Sequence, residues 1–140
     1  MARTPVTIRL PNDRSVDVPA YRQGAFAIHH GIDSEGNPIP LNGWTITHVA
    51  TGLAVIPGIM SDRDQVANVA RGLDAIVRAF GDHDSKTAFM ASPTASAIKA
   101  YLRRTHKDVS RLWRPKAAAG RRTRSWIIEQ AHDAIEEVSA

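Results

Sequence analysis

Three histidines stand in apolar runs where imidazole chemistry is conceivable: His29 and His30 side by side, and His48 at the end of a later run. Zinc wants three or four ligands converging on one point. Adjacent residues of a strand face opposite sides, so at most one of His29 and His30 can join His48. His30 and His48 share faces with Phe26, Ile28, Trp44 and Ile46. That company suits buried, hydrogen-bonded imidazoles, and neither a metal nor another cofactor is expected.

Asp82-His83-Asp84 follows the end of an apolar helical pattern. A catalytic Asp–His pair needs a nucleophile and a pocket, and the sequence signals neither. A histidine favoured by the helix dipole, flanked by turn-forming acids, is the expected role. Asp33-Ser34-Glu35-Gly36-Asn37 resembles a piece of a calcium loop, but the full spacing and the terminal bidentate Glu are missing, so a plain turn is expected. There is no Gly-rich phosphate loop, no Gly-x-Ser-x-Gly and no His-Glu-x-x-His. The expectation is a protein that is not an enzyme.

Charge carries the strongest signal. The net charge is +4, unevenly placed. Residues 1–85 hold seven arginines against nine acids, residues 99–124 hold ten Lys/Arg against Asp108 alone, and residues 125–140 hold four acids and no Lys/Arg. At about 100° per residue, Ile98, Leu102, Thr105, Val109, Leu112 and Trp113 share one side of a helix. Lys99, Arg103, Arg104, Lys107, Arg111 and Arg114 lie opposite, and Arg121, Arg122 and Arg124 follow within one loop. Arginine's planar fork pairs bidentately with phosphate or carboxylate. These nine residues form the candidate partner-binding surface, directed at nucleic acid or an acidic protein surface. The competing expectation is a face neutralised inside the fold by Glu129, Asp133, Glu136 and Glu137. Tyr101, Trp113 and Trp126 can stack on bases, although their helical positions favour core packing.

The elements that hold these groups follow from periodicity. Val6–Leu10 alternates as a strand, Pro11–Ser15 signals a turn, and Val16–Val18 pairs back. Gly24–Ile32, Trp44–Val49 and Leu53–Ile56 are further strands, the last stopped by Pro57-Gly58. A helix over 61–80 opens at Ser61 with Asp64 at the capping-box position, repeats Val66, Val69, Ala70, Leu73, Val77 and Phe80, and closes at Gly81. A connector spans 82–93. Helices are expected over 94–113, ended by Pro115, and over 125–138. The fold class is α+β: a small antiparallel sheet packed by one helix, followed by two C-terminal helices.

A chain of 140 residues fits one domain, with the sheet and its helix in 1–85 and a basic helical part in 94–140. The absence of cysteine fits a reducing compartment. No apolar run reaches membrane-span length and no signal peptide opens the chain, so a cytoplasmic protein with no membrane contact is expected. Trp113, Trp126 and Ile128 on one apolar patch would mark a homodimer interface.

The run Gly24-Ala25-Phe26-Ala27-Ile28-His29-His30, then Gly43-Trp44-Thr45-Ile46-Thr47-His48-Val49-Ala50-Thr51-Gly52-Leu53, then a capped helix, resembles small phage and mobile-element accessory proteins. The resemblance covers roughly residues 24–80 and implies no functional residues. It implies an alternative function: a phage-encoded, anti-CRISPR-like inhibitor of a bacterial defence system that occupies a protein surface. The leading expectation remains a binding protein that docks its basic helical face, about residues 99–124, on an anionic partner, with nucleic acid as one candidate.

Overall fold

Alternation sets the first hairpin. In β1 (Arg3–Arg9) and β2 (Ser15–Gln23), Val6, Ile8, Val18 and Ala20 turn inward while Thr7, Asp17 and Pro19 face water. Pro5 sits opposite Pro19 in the ladder. Two facing prolines fit only where both nitrogen positions point out of the ladder, as on edge strands. The computed structural model describes residues 3–9, 14–33, 35–59, 63–112 and 124–140, with backbone alone for 40–42, 57–59 and 106–112.

Among the described residues, β3 (Phe26–Ile32), β4 (Pro38–His48) and β5 (Leu53–Ile59) complete a five-stranded antiparallel sheet in chain order. β2 joins β3 only through Tyr21, Arg22 and Gln23. Beyond Tyr21 the first hairpin leaves that ladder and covers the second face of the sheet. Val6, Ile8, Val18 and Ala20 there form a small core with Ala27 of β3. Two glycines permit this approach. A Cβ on Gly36 would stand 2.7 Å from the Val16 side chain, and one on Gly52 would stand 2.7 Å from that of Arg9.

The first face carries Phe26, Ile28, Ile46 and Ile56, all buried under α1 (Arg63–Phe80). Each such side chain contributes about 1.5–3 kcal/mol of burial. α1 lies between the sheet and the C-terminal helices, so it is apolar around much of its circumference: Val66, Ala67, Val69, Ala70, Leu73, Ile76 and Val77 are all buried. α3 (Pro93–Leu112) and α4 (Arg124–Ser139) pack on α1 and on each other. Gly72 makes this junction possible, since a Cβ there would lie 2.4 Å from the Tyr101 hydroxyl and 3.3 Å from the Ala131 methyl. Tyr101 is fully buried and donates its hydroxyl to the Val69 carbonyl at 3.3 Å. Burial pushes its pKa far up.

The α+β expectation therefore describes the molecule, with several boundaries moved. β2 continues past Val18 to Gln23 because the alternation runs on and finds β3 as a partner. Gly24 belongs to a turn, at φ +57°, and not to the third strand. β4 begins at Pro38, inside the expected loop, because its ladder with β3 resumes beyond an irregularity between His30 and Gly31. β5 runs through Pro57-Gly58, which an edge strand tolerates. The expected 82–93 connector contains a short helix, α2 (Lys86–Met90), capped by the Ser85 hydroxyl. Gly81 closes α1 at φ +99° as expected, whereas the Ser61 cap lies outside the described residues. No helix among the described residues is long and apolar enough to cross a membrane.

Candidate functional site

The histidines are built into the fold on both faces of the sheet. His48 is fully buried, stacked on Phe89 of α2 with ring centroids 4.3 Å apart. The Leu53 N–H donates to the Thr51 hydroxyl, which donates to His48 Nδ1 at 2.7 Å. His48 Nε2–H then donates to Asp82 at 2.6 Å. Hydroxyl, imidazole and carboxylate in that order resemble a nucleophile, its base and an orienting acid. Access runs the wrong way for that role. Thr51 is 3% exposed and His48 0%, while the Asp82 side chain is 44% exposed. The end open to solvent is the carboxylate. The chain of bonds thus clasps the β4–β5 turn to the loop after α1, and Asp82, expected only as a turn-forming acid, is the partner of His48.

His29, on the opposite face, is buried against the first hairpin. Its Nδ1 lies 2.7 Å from the His30 carbonyl, which can only accept, so Nδ1 carries the proton. Nε2 then accepts from the Thr47 hydroxyl, also at 2.7 Å. Loss of solvent around the ring holds the His29 pKa below its ordinary value of 6.5, partly opposed by the bond to the His30 carbonyl. The Asp33 carboxylate is spent on its own turn: it accepts N–H bonds from Glu35 and Asn37 at 2.8 and 2.9 Å. The Asn37 bond comes first among the causes that hold Asp33 below the usual carboxylate range.

Of the nine expected partner-binding residues, Lys99, Arg103, Arg104 and Arg124 have described side chains. Lys107 and Arg111 lie on α3 with backbone alone described, and Arg114, Arg121 and Arg122 lie outside the described residues. Arg103 and Arg104 both donate to Glu137 of α4, one to each carboxylate oxygen at 3.1 Å. One acid thus holds two guanidiniums, and it comes from the helix named as the internal neutraliser. Lys99 and Arg124 are exposed. Of the apolar trio, Trp126 is half-buried against the core and Ile128 lines a groove, while Trp113 lies outside the described residues.

That groove gathers cations from the middle and the C-terminal part of the chain. It opens between α1 and α4 at the end of β2, has a volume of about 490 Å³, and is lined by Gln23, Arg71, Ala75, Arg78, Arg124, Ile128 and His132. Spacing explains the lining. Arg71, Ala75 and Arg78 stand at i, i+4 and i+7 on α1, and Arg124, Ile128 and His132 at i, i+4 and i+8 on α4, so each helix offers one stripe. Asn68 steadies Arg71 by a 2.7 Å bond to its guanidinium. Asp74 pairs with Arg78 at 3.0 Å while its other oxygen accepts from the Ala25 N–H at 3.1 Å. Among the described residues, Arg71 and Arg124 are in no ion pair. Only Arg124 belongs to the surface expected from sequence. Arg71 and Arg78 sit in the half of the chain that is acidic in sum and were missed; their i, i+7 spacing on one helix is the signal that could have found them.

Comparison with family models, with curated proteins and with solved structures finds no match for this chain.

Proposed function

We propose that this chain is a non-enzymatic binding protein that holds nucleic acid through its phosphates. The α1–α4 groove, with Arg124 at the start of α4, is the centre of the contact. One observation carries the reading: three arginines and a histidine from two helices converge on an open groove, and among the described residues only Arg78 has a carboxylate partner. Guanidinium forks spaced along a groove suit a chain of phosphates, which repeats its charge at regular intervals. Ala75 and Ile128 between them give contact without reading sequence, so affinity should depend weakly on base order. The burial of Thr51 and His48 supports the non-enzymatic half of the proposal.

The test is binding of mixed DNA and RNA fragments across a salt series. The expected result is a log–log slope of about −2 to −3, the release of counterions from some three phosphates. Failure to bind at low salt would remove nucleic acid as the partner and turn the search to an acidic protein surface.

A further inference from the structure

A second feature lies on the same side of α1. Tyr21 of β2, His30 of β3 and Trp44 of β4 all project from the helix-covered face of the sheet, at its open end, and all are half-buried. His30 stacks on Trp44 with centroids 4.0 Å apart at 21°, and Tyr21 tilts against Trp44 at 6.0 Å. Two guanidiniums converge on the Tyr21 ring. Arg63, the first residue of α1, lies 4.8 Å from its centroid and donates to its hydroxyl at 3.1 Å; Arg3 of β1 lies 5.8 Å from it. Neither arginine is in an ion pair among the described residues. Two like charges at one ring repel each other, and an anion between them would relieve that cost.

We infer that this cluster is a stacking platform for a nucleobase, and that the groove therefore takes single-stranded nucleic acid. The inference rests on the reading of the groove as a phosphate site. The two features form one track. Tyr21 and Gln23 share a face of β2, roughly 7 Å apart, and Gln23 lines the groove. Arg63 and Arg71 are eight residues apart on α1, roughly 12 Å along its axis. A single strand of a few nucleotides can lay phosphates along Arg71 and Arg124 and turn one base onto the rings, with Arg63 and Arg3 at the flanking phosphate. Bases in a duplex are paired and stacked inside and cannot reach the rings without being extruded. Aromatic rings beside a run of arginines are the combination that holds single strands without sequence preference.

The experiment compares three labelled probes by fluorescence anisotropy: a short oligothymidine, an abasic phosphodiester strand of the same length, and the oligothymidine annealed into a duplex. The intact protein should prefer the oligothymidine to both others. Trp44→Leu should weaken oligothymidine binding about tenfold or more, the loss of one stacked base, and leave the abasic strand unchanged. Tyr21→Leu repeats the test at a site less central to packing, and circular dichroism verifies that each variant folds. Equal affinity for oligothymidine and the abasic strand, or a preference for the duplex, overturns the platform while leaving the phosphate groove standing. No binding of any probe at low salt overturns the groove reading and the platform with it.

Discussion

The α3 face and the α1–α4 groove show opposite relations between charge in the sequence and charge at the surface. On α3 the bases are dense in the sequence, yet Arg103 and Arg104 close on Glu137 at 3.1 Å. In the groove the bases are sparse and come from distant segments, yet Arg71 and Arg124 point into one cleft with no carboxylate bonded to them among the described residues. Density of like charge along a helix therefore measures the supply of cations. Which of them remain available depends on where the fold delivers the acids, and here it delivers one to α3 from thirty-odd residues away.

Charge reversal breaks this comparison most sharply. The pair Arg71→Glu and Arg124→Glu should weaken oligonucleotide binding about a hundredfold at ~0.1 M salt, since each phosphate contact supplies roughly a factor of ten there, and should lower the salt slope by about two. The matched pair Arg103→Glu and Arg104→Glu should cost far less. Equal losses from the two pairs in a salt titration would mean that the α3 face, despite Glu137, shares the contact.

The shape of the groove is open to attack without touching its charges. Gly72→Ala improves helix propensity by up to ~1 kcal/mol, but its methyl meets the Tyr101 hydroxyl and the Ala131 side chain. Relief requires α3 and α4 to shift on α1, so the variant should lose about 1–3 kcal/mol of stability in urea. Spreading α4 from α1 should also weaken binding with the salt slope only slightly changed. A stable Gly72→Ala protein with normal affinity would show that the helix junction does not set the groove.

Glu137→Gln sharpens the comparison from the other side. It frees Arg103 and Arg104 while disturbing two surface ion pairs, each worth only ~0–1 kcal/mol. Binding should tighten a few-fold, with a slightly steeper salt slope. Unchanged affinity would place these arginines out of reach of the bound strand.

The layout of the fold was legible in the sequence because alternation and 3.6-residue periodicity are local. Val6, Ile8, Val18 and Ile46 announce strands by their neighbours, and Val66 to Val77 announce a helix in the same way. What stayed hidden depends on contacts between segments. The bend of the first hairpin over Ala27, the joining of His48 to Asp82, and the meeting of Arg71 with Arg124 have no signature within a dozen residues of any partner. One proline misled for a related reason. Pro57 read as the stop of the last strand, but a proline breaks a strand only where the ladder needs its N–H. The basic face was legible as composition, and Glu137 was one of four acids able to answer it. The choice among those four belongs to the packing of α3 on α4.

Acid provides the smallest effect and a control on the others. His29 is neutral in the fold, with its pKa held below 6.5 by burial. Between the folded and unfolded values the unfolded chain binds more protons, so stability rises with pH through that window. Its contribution is complete above about pH 6.5 and is lost as pH falls through the folded value. Urea midpoints should therefore drop on acidification below that point. His29→Gln should flatten the dependence while lowering the plateau, because the amide replaces the imidazole imperfectly between the His30 carbonyl and Thr47. His29 lies on the hairpin side of the sheet, away from the groove, so oligonucleotide affinity of the folded protein at neutral pH should not change in this variant. If it does change, the two faces of the sheet are coupled, and the groove is held in shape by the hairpin behind it as well as by the helices in front.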